Sequence, residues 1–139
     1  MKVKDAMHKG VDWVNPDTPI TEIAKLMREH DIGCIPIGED DHLVGMVTDR
    51  DIVCKGIANG KFDPSRALAR DVMTEGIHCC REDDDLAKAV HHMEALQVRR
   101  LPVINKSKRM VGMISLGDVG RFAPNELLAA CVKTVSAHH

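Results

Sequence analysis

The sequence predicts a mixed α/β (α+β) fold built from two pseudo-symmetric repeats. The first observation is internal similarity with a period of 66 to 67 residues, in which Asp5-Ala6-Met7 recurs as Asp71-Val72-Met73. The second is the order of hydrophobic patterns in each half, where a helical spacing is followed by two β-rich runs and a further helix. The third is a content of 44% hydrophobic but only 2% aromatic residues, which suits an aliphatic core.

Each half begins with an amphipathic helix. Apolar residues recur at the offsets 0, 3, 4 and 7 that share one helical face: Ile20, Ile23, Ala24 and Met27 in the first half, and Leu86, Ala89, Val90 and Met93 in the second. We expect Thr18 to be the N-cap of the first helix, with Pro19 at its first helical position. In the second half Asp84 takes the capping position.

Two strands joined by a polar turn follow each helix. The first β-rich run covers residues 32–37 in one half and 98–103 in the other, and each contains a proline, which is typical of a sheet edge or strand end. After the turn, residues 43–51 match residues 110–118 with one extra residue. We place that residue in the turn, where insertions are tolerated.

We therefore divide the chain into repeat 1 (residues 1–60), a linker (61–69), repeat 2 (70–123) and a C-terminal helix and tail (124–139). The helix is predicted over residues 124–136, and its apolar face must pack on this chain or on a second copy; that face comprises Leu127, Leu128, Cys131 and Val135. A half of ~65 residues is marginal alone, so the repeats are expected to bury their sheets against each other.

Composition excludes several classes of protein. A net charge of −2 without a basic stripe makes nucleic acid an unexpected partner. No apolar run approaches the ~18 residues that cross a membrane, so we predict a cytoplasmic protein. Five cysteines are an odd number and indicate reduced thiols rather than a disulfide framework. His138 and His139 resemble the remnant of a purification tag and are set aside.

The candidate ligand-binding residues lie in a strand-to-helix turn that occurs twice, as Thr48-x-x-Asp51 and as Ser115-x-x-Asp118. One interpretation is structural, since a hydroxyl at the N-cap and a carboxylate three residues later satisfy helix N–H groups. The other is a ligand site, because the hydroxyl can donate to a phosphate and the aspartate can accept from both hydroxyls of a ribose. Gly45 and Gly112 stand within the preceding strands, where a missing side chain would leave room for that ligand.

Both copies of this motif, Gly45 to Asp51 and Gly112 to Asp118, resemble the CBS-domain family, and the resemblance covers about residues 2–122. It implies two β-α-β-β-α repeats packed sheet to sheet, with AMP, ADP, ATP or S-adenosylmethionine bound as a regulatory ligand in clefts between them. It also implies that Asp51 and Asp118 hold ribose hydroxyls while Thr48 and Ser115 approach phosphate. Residues 27–33 and 97–103 further resemble the bacterial hypoxic-response subgroup.

The two sites are predicted to be unequal. Arg99 and Arg100 are candidate phosphate ligands, whereas the matching residues of repeat 1 are Gly33 and Cys34; the alternative is that the arginines lie on a solvated sheet edge. Thr74 resembles the family segment that lines the base pocket. Its counterpart in repeat 1 is His8.

The leading functional hypothesis is a nucleotide sensor that signals to a partner protein and forms a homodimer, without catalytic residues or an obligatory cofactor. A second hypothesis is an assembly module that dimerises through Trp13 and the terminal helix without nucleotide. A third is a stress sensor based on metal or on the thiols of Cys34, Cys54, Cys79 or Cys80. We predict no metal site, because adjacent Cys79 and Cys80 lack the Cys-x-x-Cys spacing of zinc ligands.

Overall fold

The computed structural model describes residues 1–76, 78–122 and 125–137. The helices are α1 (Val3–Ala6), α2 (Ile20–His30), α3 (Asp49–Asp51), which continues as a π-helical segment (Ile52–Ile57), α4 (Ala69–Val72), α5 (Leu86–Leu96), α6 (Leu116–Phe122) and α7 (Asn125–Val135). The strands are β1 (His8–Lys9), β2 (Cys34–Glu39), β3 (His42–Thr48), β4 (Thr74–Glu75), β5 (Cys80–Arg81), β6 (Arg100–Ile104) and β7 (Met110–Ser115). Within the described residues no helix is long and apolar enough to span a membrane.

The chain forms two compact units, and each contains a sheet and its own apolar core. Unit 1 comprises residues 1–11, 78–122 and 125–137, and its sheet has the order β1-β7-β6-β5. Unit 2 comprises residues 12–76, and its sheet has the order β2-β3-β4. The mixed α/β class and the two repeats are therefore confirmed.

The units differ from the sequence repeats because the first short segment of each repeat completes the sheet of the other. Strand β1, from the start of the chain, pairs with β7, while β4, from the start of the second repeat, pairs with β3. Equivalent backbone bonds anchor the two segments. Ile20 N donates to Ala67 O at 3.0 Å in unit 2, and Leu86 N donates to Met1 O at 2.9 Å in unit 1.

These backbone bonds explain why the predicted helix caps were wrong. Pro19 and Asp85 are the N-cap residues of α2 and α5, and neither helix has a side-chain cap. The first N–H of each helix is satisfied by the backbone of the exchanged segment, so no capping side chain is required. Thr18 Oγ1 instead donates to Asn15 Oδ1, and Asp84 Oδ2 accepts from Arg81 N.

The apolar faces of α2 and α5 differ at one predicted position. Ala24 is exposed on α2, whereas Val90 is fully buried at the matching position of α5. Helix α5 is also packed against α7, whose Cys131 and Val135 are buried in the core of unit 1. Repeat 1 has no counterpart of α7, so the buried face of α2 is narrower. Pro124, predicted to begin the terminal helix, lies outside the described residues, as do His138 and His139.

Both prolines of the first β-rich runs lie inside a strand rather than at its end. Pro36 is in β2, an edge strand of its sheet as predicted, whereas Pro102 is in β6, which lies between β7 and β5. Pro36 is opposite Met46 in the β2–β3 ladder, and Pro102 is opposite Met113 in the β6–β7 ladder. Pro36 O accepts from Val14 N at 3.2 Å, so this proline faces an isolated bridge on the other side of β2. Its missing N–H therefore removes no β2–β3 hydrogen bond. The extra residue of repeat 2 lies in the β6–β7 turn, as predicted.

Candidate functional site

The strand-to-helix turn of unit 2 is held by a reciprocal pair of hydrogen bonds. Strand β3 ends at Thr48, whose extended backbone makes it the N-cap of α3. Asp51 N donates to Thr48 Oγ1 at 3.0 Å, and Thr48 N donates to Asp51 Oδ2 at 2.9 Å. This is the capping box that the spacing of hydroxyl and carboxylate predicts.

The turn of unit 1 has the same arrangement with one further bond. Asp118 N donates to Ser115 Oγ at 3.1 Å, and Ser115 N donates to Asp118 Oδ2 at 2.8 Å. In addition, Ser115 Oγ donates to Asp118 Oδ2 at 2.9 Å. The structural interpretation of both motifs is thus correct, and it uses only one oxygen of each carboxylate.

The two aspartates are distinguished by their burial. Asp51 is 8% exposed and Asp118 is 3% exposed, and among the described residues these are the buried charged side chains. A buried carboxylate is costly unless it is paired and hydrogen-bonded. The second oxygen of each meets this requirement, since Asp51 Oδ1 lies 3.1 Å from Lys55 Nζ and Asp118 Oδ1 lies 3.1 Å from His8 Nε2.

The exchanged strands bring a side chain to each aspartate. In unit 1, His8 begins β1 and contacts Asp118 directly. In unit 2, Thr74 begins β4, and its Oγ1 accepts a hydrogen bond of 3.3 Å from Lys55, which is also paired with Asp51. The structure therefore brings Thr74 to the turn of Thr48 and Asp51, and it brings His8 to the equivalent place beside Ser115 and Asp118.

Gly45 and Gly112 are explained by the close approach of the exchanged strands. A Cβ on Gly45 would lie 2.8 Å from Thr74 O, and one on Gly112 would lie 2.3 Å from His8 O. The space that the missing side chains leave is filled by backbone of the same unit. A contact of these glycines with a ligand stays a prediction, whereas their role in strand pairing is visible.

The arginines flank the turn of unit 1. Arg100 is half-buried and begins β6 directly opposite Ser115, while Arg99 is exposed and its carbonyl accepts from Leu116 N at 2.8 Å. In unit 2, Cys34 is opposite Thr48, and Gly33 O accepts from Asp49 N at 2.9 Å. The backbone is thus repeated, but the side chains beside it are different.

Sequence reasoning missed the partners of the buried aspartates. Lys55 follows Asp51 by four residues, so the helical i,i+4 spacing of opposite charges was an available signal. The pairing of His8 with Asp118 had no such signal, because β1 and β7 come from opposite ends of the chain. Asp49, whose carboxylate lies beside Gly33, was not singled out either.

The thiols considered for a sensor differ in their environment. Cys80 is buried, and its Sγ donates to Pro102 O at 3.8 Å. Burial, with further contributions from Cys79 and Asp84, raises the pKa of Cys80 to about 12. Burial also raises the pKa of Cys79, whereas Cys54 is an exposed thiol on the π-helical segment.

Comparison with known proteins identifies related sequences and folds. The model of the CBS domain family matches residues 3–55 and 69–124. Hypoxic response protein 1 of Mycobacterium tuberculosis is 41% identical over 133 residues, which are 95% of this chain and 92% of that protein.

Three solved structures share the fold over most of the chain. Hypoxic Response Protein I with two coordinated zinc ions has a TM-score of 0.81 and 42% identity, covering 89% of this chain and 100% of that chain. CBSX2 in complex with AMP has a TM-score of 0.77 and 25% identity, covering 88% and 95%. The CBS domain pair of protein MJ0100 in complex with 5′-methylthioadenosine and S-adenosyl-L-methionine has a TM-score of 0.76 and 26% identity, covering 87% and 94%.

The zinc of one related structure prompts a test of the residues present here. Across residues 1–76, 78–122 and 125–137, no three His, Cys, Asp or Glu side chains come together as a metal site requires. The described residues therefore do not fit a zinc site.

Proposed function

This chain belongs to the CBS-domain family, and we propose that it is a regulatory module that binds adenosine-type nucleotides and signals to a partner protein. The observation that carries the proposal is the buried aspartate found at the same turn of both units, Asp51 and Asp118. Each has one oxygen in the capping box and the other paired with a side chain from outside it. The structures of related proteins with AMP and with S-adenosyl-L-methionine support this class of ligand.

The chemistry of the second oxygen favours a ribose. A carboxylate oxygen has two lone pairs, so Oδ1 of either aspartate can accept from a hydroxyl while the capping box stays intact. The 2′- and 3′-hydroxyls of a ribose would replace or share the contact with Lys55 in unit 2 or with His8 in unit 1. The buried charge would then remain hydrogen-bonded throughout, which keeps the desolvation cost of the exchange low.

The exchanged strands offer a route from ligand to output. His8 begins β1, and Thr74, which contacts the Lys55 partner of Asp51, begins β4. A ligand that replaces these contacts binds best to a state in which the strand segments are rearranged. A ligand without chemistry of its own acts only through such differential affinity. We therefore assign the module no reaction.

A homodimer is part of the proposal. Apolar side chains stay exposed on both units: Val53 and Ile57 are 55% and 57% exposed in unit 2, and Phe122 and Val132 are 41% and 40% exposed in unit 1. The terminal helix α7 contributes Val132 to these exposed side chains, whereas its Cys131 and Val135 are already covered by this chain. Light scattering after gel filtration tests the dimer by its mass. We propose the cytoplasm as its location.

Calorimetric titration with AMP, ADP, ATP and S-adenosylmethionine tests the nucleotide assignment. We expect at least one ligand to bind the wild type and to raise its free energy of unfolding by about 2.7 kcal/mol at 100 times Kd. Asp51→Asn and Asp118→Asn should each remove the binding at one turn, with folding verified by circular dichroism.

Asp71→Asn is the matched control. Asp71 Oδ2 accepts from Leu68 N at 2.8 Å, so it has the same capping role in α4 but lies in no strand-to-helix turn of this type. If Asp71→Asn weakens binding as much as Asp118→Asn, the effect is one of stability and the site assignment is wrong. Absence of binding by every ligand at millimolar concentration would refute the nucleotide function and favour the assembly module. Zinc in the purified protein would favour the metal-based alternative.

A further inference from the structure

The strand-to-helix turns of the two units share their backbone hydrogen bonds but have different side chains beside them. Arg100 of unit 1 and Cys34 of unit 2 stand directly opposite the hydroxyl residue of the turn in their ladders. Arg99 and Gly33 each accept from the first N–H after that residue, at 2.8 and 2.9 Å. What differs between the two turns is therefore charge and side-chain volume.

Asp49 is a further difference between the two turns. Its Oδ1 accepts from Arg50 N at 2.8 Å, and its Oδ2 lies 2.9 Å from where a Cβ on Gly33 would stand. The matching residue of unit 1 is the apolar Leu116, which follows Ser115. The Asp49 carboxylate of unit 2 thus lies beside Gly33, whose matching residue in unit 1 is Arg99.

The charge balance around each turn follows from these residues. In unit 1, residues 99, 100 and 115–122 hold three arginines against Asp118, which leaves two net positive charges without counting His8. In unit 2, Asp49 and Asp51 are balanced by Arg50 and Lys55, so no net charge remains, and the carboxylate of Asp49 is exposed. A phosphate beside Asp49 meets like charge, whereas one beside Arg100 meets a guanidinium that can bind it with two hydrogen bonds.

We propose that the two turns bind different classes of adenosine ligand and that Asp49 determines the difference. Unit 1 takes an adenosine that bears a 5′-phosphate, with Arg99 and Arg100 as phosphate ligands. Unit 2 takes an adenosine whose 5′-substituent is uncharged or cationic, such as a thioether or a sulfonium, because the Asp49 carboxylate repels phosphate and tolerates a cation. This inference rests on the proposed function and adds the ligand class of each site.

Calorimetric titration of the full chain with AMP and with 5′-methylthioadenosine tests the assignment. For the wild type we expect one AMP per chain, lost in Asp118→Asn and kept in Asp51→Asn, and 5′-methylthioadenosine binding that Asp51→Asn removes. A charged hydrogen bond corresponds to about ten-fold or more in affinity, so Arg100→Cys should weaken AMP at least ten-fold.

Asp49→Leu, which copies Leu116 of unit 1, is the decisive variant. We expect a second AMP site per chain or an affinity at that site raised about ten-fold. Asp49→Asn, which removes charge with little change in volume, should act in the same direction. Glu22→Gln is the control, since it removes one exposed negative charge at the other end of α2 and should leave AMP binding unchanged.

The outcomes separate this inference from the proposed function. Two equal AMP sites in the wild type, or an AMP titration unaltered by both Asp49 variants, would overturn the inference while the nucleotide function stands. An effect of Glu22→Gln as large as that of Asp49→Asn would also overturn it, because net charge rather than position would then decide. Absence of binding by both probes to every variant would overturn the function and the inference together.

Discussion

Replacing Gly112 by alanine tests whether the start of the chain completes the sheet of unit 1. The added Cβ would lie 2.3 Å from His8 O and 2.9 Å from Met7 Sδ, whereas ordinary contact begins at 3.4 Å. Strand β1 must therefore move by roughly 1 Å, and overpacking of this kind costs about 1–3 kcal/mol. Loss of the 2.9 Å bond from Gly10 N to Val111 O adds ~1 kcal/mol.

We therefore expect Gly112→Ala to lower the free energy of unfolding by about 2–4 kcal/mol in urea denaturation followed by circular dichroism. Gly45→Ala should lower the free energy of unfolding by less than Gly112→Ala, because its added Cβ would lie 2.8 Å from Thr74 O, a less severe overlap. Gly120→Ala is the control, since its Cβ would meet only Leu128 at 3.5 Å and alanine favours α6. If Gly112→Ala costs no more than the Gly120 control, β1 does not pair with β7 as described.

The remaining predictions concern a cap, a helix contact and a thiol. Ser115→Ala removes two hydrogen bonds to Asp118 and should lower the free energy of unfolding by about 1–2 kcal/mol in the same assay; no loss would mean that the cap is not formed. Val135→Ala should cost ~1–2 kcal/mol because Val135 is 1% exposed, whereas Val132→Ala, at 40% exposure, should cost under ~0.5 kcal/mol; equal losses would contradict the packing of α7 on this chain. Cys80 should resist alkylation at pH 8 while Cys54 reacts, as peptide mass spectrometry can show. The pKa of Cys80 is raised from 9.0 to about 12, so between pH 9.0 and about 12 the unfolded thiol loses a proton that the folded one keeps. The free energy of unfolding should therefore fall by ~1 kcal/mol per pH unit as the pH rises through this range. This slope should be smaller in Cys80→Ala.

The residues of the repeated motif indicated the local structure of the turns correctly. Thr48 and Ser115 cap their helices, with Asp51 and Asp118 closing the boxes, because a capping box depends on residues only three apart. The resemblance to the CBS-domain family and to the hypoxic-response subgroup is also confirmed. It could be recognised from the sequence because it depends on contiguous motifs. The roles of these residues toward a ligand stay predictions.

Other expectations failed where a long-range contact replaced a local one. Thr18 and Asp84 were expected to cap α2 and α5, but carbonyls of Ala67 and Met1 already satisfy the first helical N–H groups. Ala24 belongs to the predicted apolar face and is exposed, because a helical period places a residue on a face without showing how widely that face is covered.

By itself, the sequence determined the doubled order of helices and strands, the family and the two capped turns, since all of these depend on periodicity and on neighbours a few residues apart. Only the tertiary structure decided that β1 joins β7 and that β4 joins β3. Strands of two residues carry too little pattern to identify a partner, and their pairing is selected by the backbone space that Gly45 and Gly112 leave open. The contact between His8 and Asp118 follows from that pairing.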